Sequence, residues 1–280
     1  MTRISTPAER RSRNLSHYLD NSLLEKDLLS EFHDRISTIS HLDEEAEARA
    51  GKHLDALTKP PGSLGKLEQI AIQLAGISGE LMPNLGKKAI VVMAGDHGVC
   101  EEGVSAYPQE VTAQMVLNFL NGGAAVNVLA KHAGAEVVCV DIGVKGELSH
   151  PGLVSAKVRK GTGNLRREPA MTKAETLRAL LIGMKLADEL ADEGYGLLGT
   201  GEMGIGNTTS SSAILAVLAG IPLEEAVGKG TGIDERQLAH KRDVIRAAIE
   251  LHGFQIGEIA HLSGEDAEGS EHGAMALQEH

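Results

Sequence analysis

Tryptophan is missing from this chain, and the other aromatics amount to only 2% of its 280 residues. Stacking platforms for single-stranded nucleic acid are therefore scarce. A formal net charge of -12 would also repel a phosphate backbone, so nucleic acid is not an expected partner. There are only two cysteines, Cys100 and Cys139, with no CxxC and no histidine at metal-ligand spacing. That usage excludes a disulfide scaffold and fits reduced thiols in a cytoplasmic protein. No apolar run approaches the roughly 18 residues that span a bilayer, which excludes a transmembrane helix and makes a membrane an unexpected partner. What the chain does have is aliphatic bulk, 42% hydrophobic residues, and 33 glycines. That suits one large α/β domain with appendages.

The basic start, MTRISTPAERRSRNLS, reads as a solvated tip rather than a transit peptide, because it carries Glu9 and runs straight into an acidic helix. From Ser16 to Ile36 the residues Leu19, Leu23, Leu24, Leu28, Phe32 and Ile36 recur at helical steps and predict one amphipathic helix. A second acidic helix over Leu42 to Leu57 ends at a double-proline loop, Thr58 to Ser63. Beyond it, helices are expected over Leu64 to Leu81, Pro108 to Leu120 and Ala124 to His132, with strands at Ala89 to Met93, Glu136 to Ile142 and Tyr195 to Leu198. Thr172-x-x-Glu175 is a capping box opening a helix whose Leu177, Leu180, Leu181, Met184 and Ala187 line one face. This alternation predicts an α/β fold: a mostly parallel, Rossmann-like sheet with helices on both faces, incomplete at its carboxyl end, plus an amino-terminal helical region. The expected divisions are residues 1–57 (helical), 58–253 (α/β core) and 254–280 (an acidic tail expected to be disordered). In such sheets ligands sit at the carboxyl ends of strands.

Gly199 to Ser212, GTGEMGIGNTTSSS, contains a literal G-x-G-x-x-G. A dinucleotide site would need a second strand ending in an acid about 20 residues on. Ile221 to Val227 reads as a short helix instead, and no Gly-Lys-Ser/Thr makes a P-loop. Two readings stay open: an anion seat of backbone N–H groups with Asn207, Thr208 and Thr209, or a glycine-packed strand-to-helix turn capped by Thr208. The tripeptide GTG at Gly161, Gly199 and Gly230 has unmatched flanks and reads as three separate tight turns.

Five motifs then occur in order: TKPPGSLGKLE (58–68), AGDHGV (94–99), EGVSAYPQEVT (102–112), GTGN (161–164) and GEMGIGNTT (201–209). Together, over roughly Leu42 to Ile249, they resemble the nicotinate-nucleotide:dimethylbenzimidazole phosphoribosyltransferases of cobalamin lower-ligand assembly. The resemblance implies transfer of phosphoribose from nicotinate mononucleotide to 5,6-dimethylbenzimidazole, giving α-ribazole 5'-phosphate and nicotinate. It implies that Gly201, Met203, Gly204, Asn207 and Thr208 hold the phosphoribosyl part, with Glu202 in the site and Lys241 nearby. It places Ser105, Tyr107 and Met115 on the loop bordering the benzimidazole. A pyridinium leaves as a neutral base, so neither a metal nor a cofactor is expected. A carboxylate must take the benzimidazole proton.

In the family that base is a Glu in a late Gly-Glu-Gly type segment, which this sequence does not show. Glu265 follows a glycine but matches nothing around the family motif. Glu202 is the remaining catalytic candidate, with helix-terminal charge complementarity as its alternative role. A weakly active or inactive nucleotide-binding relative is the alternative function, and a dinucleotide oxidoreductase a third. Asp96 and His97 read either as a functional pair or as a turn-stabilising Asp beside a solvated His. His252, His261, His272 and His280 read as solvated tail histidines. A sheet lacking its closing elements should leave an apolar face for Leu23, Leu28 and Phe32 to cover, in the same chain or a partner, and a homodimer is expected.

Overall fold

The computed structural model describes residues 6–256. Residues 1–5 and most of the expected acidic tail, with Glu265, His261, His272 and His280, lie outside them.

The elements run α1 (Pro7–Leu15), α2 (Glu25–Ser37), α3 (Glu44–Ala56), α4 (Lys66–Ser78), β1 (Lys87–Gly95), α5 (Val111–Leu120), α6 (Ala125–Ala133), β2 (Ala135–Gly143), β3 (Leu153–Ser155), α7 (Lys173–Asp192), β4 (Tyr195–Met203), α8 (Asn207–Ala219), α9 (Leu223–Ala226) and α10 (Glu235–Leu251). The four strands form one sheet in the order β3-β2-β1-β4, and every pair is parallel.

Alternation along β1 and β2 divides the core. Ala89, Val91, Val138 and Val140 pack with Leu177, Leu181, Ile182, Leu186 and Leu190 of α7 on one face. Val92, Ala94 and Cys139 pack with Val116 and Phe119 of α5 and Ala124 beside α6 on the other. Period-two strands thus meet helices on both sides, as the apolar runs required.

The apolar face of α7 keeps Leu177, Leu181 and Met184 of the expected stripe against the core but is wider and shifted from it. Ala187 is exposed and Leu180 only half-buried, while Ile182, Leu186 and Leu190 are buried. The stripe drifts because it follows both the sheet and the amino-terminal helices packed beside α7.

Two further expectations are corrected at the amino end. The Ser16 to Ile36 helix is broken: a 3-10 turn over Ser16–Leu19 and an extended Leu24 separate α1 from α2. Asp20 explains the break, since its Oδ1 accepts the Ser22 backbone N–H at 2.8 Å, a side-chain bond that competes with helix. The basic start is not a loose tip from Thr6 onward. Thr6 and Glu9 form a capping box, and buried Arg11 donates to Glu193 at 2.5 Å. Leu15, Tyr18 and Leu28 are buried in the core on the α7 face, with Leu23 and Phe32 against it. The same chain therefore covers this face. Burial and a hydrogen bond to Glu31 push the Tyr18 hydroxyl up to about 12. Helices α3 and α4 pack on each other across residue 57.

Candidate functional site

β4 is longer than its apolar start predicts, extending through Met203. Gly199 pairs with Ile90 and Gly201 with Val92, so two glycines of the literal fingerprint, and one of the three GTG tripeptides, lie in a strand. The turn is Gly204-Ile205-Gly206 alone, with Gly206 at φ 96° as the residue before α8. A Cβ on Gly204 would strike the Gly95 carbonyl and come within 2.6 Å of Glu202 Oε1 and 2.7 Å of His97 Cδ2. Glycine is there because β1, β4 and the His97 loop converge too closely for any side chain.

Four of the five motifs meet at this end of the sheet. The Ile205 N–H donates to Thr112 Oγ1 at 3.1 Å, Gln109 Nε2 to the His97 carbonyl at 3.2 Å, and the Gly98 N–H to Thr162 Oγ1 at 3.0 Å. Asn164 Nδ2 reaches Glu102 Oε1 at 2.7 Å. The TKPPGSLGKLE stretch instead closes on itself between α3 and α4, where Lys59 donates to Glu68 at 2.8 Å and holds that carboxyl below its usual range.

Two cavities flank the turn. A cavity of about 140 Å³ is lined by Val104, Ser105, Met203, the turn, Asn207, Thr208 and Thr231. A larger, apolar one of about 450 Å³ lies between α7, α8 and α10 and is lined at its polar end by His97, Glu202 and Ser210. Glu202 lines the larger cavity and Asn207 the smaller, and the Asn207 amide donates to Glu202 Oε2. This pair forms the partition. Glu202 Oε1 meets His97 Nε2 at 3.1 Å, and His97 Nδ1 meets Ser210 Oγ at 3.2 Å.

Lys241 stands behind the small cavity, 1% exposed. Its Nζ donates to Thr208 Oγ1 at 2.7 Å and to the Gly228 carbonyl at 3.3 Å. Burial lowers its pKa, as expected for an ammonium whose two bonded partners are uncharged. Thr208 is accordingly occupied by Lys241, and α8 follows a Gly206 N-cap that supplies no side-chain hydrogen bond.

The structure thus gathers Ser105, Met203, Gly204, Asn207 and Thr208 around one cavity, with Glu202 in its partition and Lys241 behind it. Gly201 sits one residue back in β4 and lines neither cavity. Tyr107 is 54% exposed, and Met115 packs into the α5 face of the core; neither lines either cavity. Sequence reading missed Thr231 and Ser210. Thr231 Oγ1 lies 3.2 Å from Ser105 Oγ and accepts the Ala106 N–H at 3.0 Å, so the GTG at Gly230 clasps the Ser105 loop. Ser210 was hidden in a run of five hydroxyl residues. Asp96 and His97 diverge: Asp96 is buried and accepts the Lys145 N–H at 2.7 Å. His252 is not a solvated tail residue but bonds the Leu165 carbonyl at 2.8 Å.

A family model described as phosphoribosyltransferase matches residues 39–276. The chain belongs to the nicotinate-nucleotide:dimethylbenzimidazole phosphoribosyltransferase family. It is 53% identical over 218 residues to the phosphoribosyltransferase of that name from Chloroflexus aggregans, covering 78% of this chain and 62% of the relative. Against the Roseiflexus sp. (strain RS-1) relative of the same name it is 48% identical over 249 residues, covering 83% and 70%. The crystal structure of CobT from Thermus thermophilus superposes with a TM-score of 0.73 at 48% identity, covering 84% of this chain and 67% of that one. The family's members so named are pentosyltransferases. This chain spans 62% of the Chloroflexus relative's length. The Rossmann-like fold and the family expected from the five motifs both stand.

Proposed function

We propose that this chain transfers phosphoribose from nicotinate mononucleotide to 5,6-dimethylbenzimidazole. The observation that carries the reading is the Glu202–Asn207 pair, set between a small cavity that carries the hydroxyls of Ser105, Thr208 and Thr231 and a larger apolar one, at the ends of β1 and β4. The phosphoribosyl group sits in the small cavity, against the start of α8 with Lys241 behind it, where the positive end of the helix dipole and a buried cation favour an anion. A lone pair on one benzimidazole nitrogen attacks C1' of the ribose. The C1'–pyridinium bond breaks, nicotinate departs with its electron pair, and the proton on the other benzimidazole nitrogen passes to Glu202. The carboxylate also stabilises the positive charge that develops on the acceptor ring.

The test is α-ribazole 5'-phosphate formation followed by chromatography. Glu202→Gln should lower the rate about 10²-fold or more, the usual contribution of a positioned base. Nicotinate mononucleotide should raise the melting temperature more than NAD does. Stronger stabilisation by NAD together with hydride transfer to a small alcohol would replace this reading with an oxidoreductase.

A second reading, a nucleotide-binding relative with slow turnover, is favoured by one observation: among the described residues, Glu202 is the sole carboxylate lining these two cavities. A full-length relative assayed alongside separates the two. The free thiols Cys100 and Cys139 support a reducing, cytoplasmic setting. Among the described residues no helix is long and apolar enough to cross a membrane. Leu67, Ile70 and Ile77 of α4 are 64%, 50% and 63% exposed, which supports a homodimer; light scattering is the check.

A further inference from the structure

The two glycines that flank Ile205 surround a particular side chain. A Cβ on Gly206 would lie 3.4 Å from His97 Cβ, and one on Gly204 would lie 2.7 Å from His97 Cδ2. The glycine turn therefore makes room for the imidazole of His97. The backbone around that ring is held at several points. The His97 carbonyl accepts from the Cys100 N–H at 3.0 Å and from Gln109 Nε2 at 3.2 Å. The next N–H is bound by Thr162 Oγ1 at 3.0 Å. Gly98 in turn lies so close to the Thr162 and Gly163 backbone that a Cβ there would come within 2.6 Å of the Thr162 carbonyl. Three separate motifs converge on one histidine, whose side chain is 19% exposed.

We propose that His97 is a positioning residue for Glu202, and this rests on the transferase reading above. An ionised carboxylate only accepts hydrogen bonds, so the 3.1 Å contact to Glu202 Oε1 puts the proton on His97 Nε2. The unprotonated Nδ1 then accepts from the Ser210 hydroxyl at 3.2 Å. Glu202 thus selects the tautomer, Ser210 completes it by donating to Nδ1, and the ring so held fixes the orientation of Glu202. With Asn207 holding Oε2, the carboxylate plane is fixed from both sides. Each oxygen keeps a second lone pair to accept the benzimidazole proton. The arrangement follows the general logic of a base oriented by a third group.

The test has two arms. In the first, nitrogen-15 spectra of the full chain labelled at histidine should show His97 as the Nε2–H tautomer, and Glu202→Gln and Ser210→Ala should each shift its ring nitrogens. An Nδ1–H tautomer, or a His97 signal indifferent to Glu202→Gln, overturns the proposal. In the second, His97→Ala should lower kcat about 10²-fold, the scale for a misplaced catalytic group, with KM for nicotinate mononucleotide within about threefold. His97→Gln carries an amide donor near the Nε2 position and should recover most of that loss. Should His97→Ala fail to fold, the glutamine variant and the spectra still decide. Undiminished kcat in His97→Ala, or equal losses in both variants, would overturn the role. An inactive wild type would sink the transferase reading instead, leaving the first arm to judge His97.

Discussion

Lys241 is a buried charge whose hydrogen-bond partners are both neutral. Its ammonium is buried against a hydroxyl and a carbonyl, and burial lowers its pKa. The unfolded chain therefore binds the proton more tightly than the folded one. Stability should rise as pH increases from the lowered value toward the ordinary lysine range, because the cost of burying the charge disappears there. Lys241→Met should abolish that rise, which melting temperatures measured across that pH range would read. It should also remove most of the stabilisation by nicotinate mononucleotide, which thermal shifts with and without ligand would read. Gly204 is the opposite case, a residue with no chemistry whose absence of a side chain is indispensable. Gly204→Ala should cost about 1–3 kcal/mol in a denaturant titration, since the Gly95 carbonyl it would meet belongs to the sheet and has nowhere to move.

Among the elements, the start of α7 was the most legible. Its capping box is present as read: the Glu175 N–H reaches Thr172 Oγ1 at 3.3 Å, and Glu175 accepts the Thr172 N–H at 2.8 Å. Glu175 also binds Arg159 at 3.0 Å, a link between the helix start and the loop after β3 that no local pattern shows. Thr172→Ala should therefore cost about 1 kcal/mol, the usual value of a cap, and Glu175→Ala more, since it removes both the cap and the ion pair; paired denaturant curves would rank them. The strands were legible in place but not in length. β4 was expected to stop at Leu198 because glycines and a glutamate follow. Pairing with the apolar β1 carries it five residues further. β3 went unread because three residues, Leu153–Ser155, have no periodicity to detect, and only their pairing to Cys139–Asp141 makes them a strand.

On the scale of the molecule, the amino-terminal helices behave as part of the core. Removing residues 1–37 would uncover the surface that Leu15, Tyr18 and Leu28 share with the sheet and α7. That variant should lose cooperative unfolding and bind a hydrophobic dye, which fluorescence would register. If it stayed cooperative and dye-free, packing by these helices would carry little of the stability. The exposed apolar residues of α4 lie elsewhere, so a homodimer built on them should survive substitution of Leu23 or Phe32 but not of Leu67 and Ile77 to Lys; light scattering distinguishes the two.

The ordered motifs and the alternation of apolar runs were enough to determine the family and the parallel α/β class. Both are local or near-local signals, carried by residue types at short spacing and preserved whatever the distant contacts. Only the tertiary structure decided which hydroxyl meets which base. Ser210 and His97 are 113 residues apart, His97 and Glu202 105 apart, and Lys241 and Thr208 33 apart. No periodicity relates such positions. Their contacts arise because parallel pairing of β1 with β4 brings two strand ends side by side, and because glycines at 204 and 206 let the chains approach within a side chain's width.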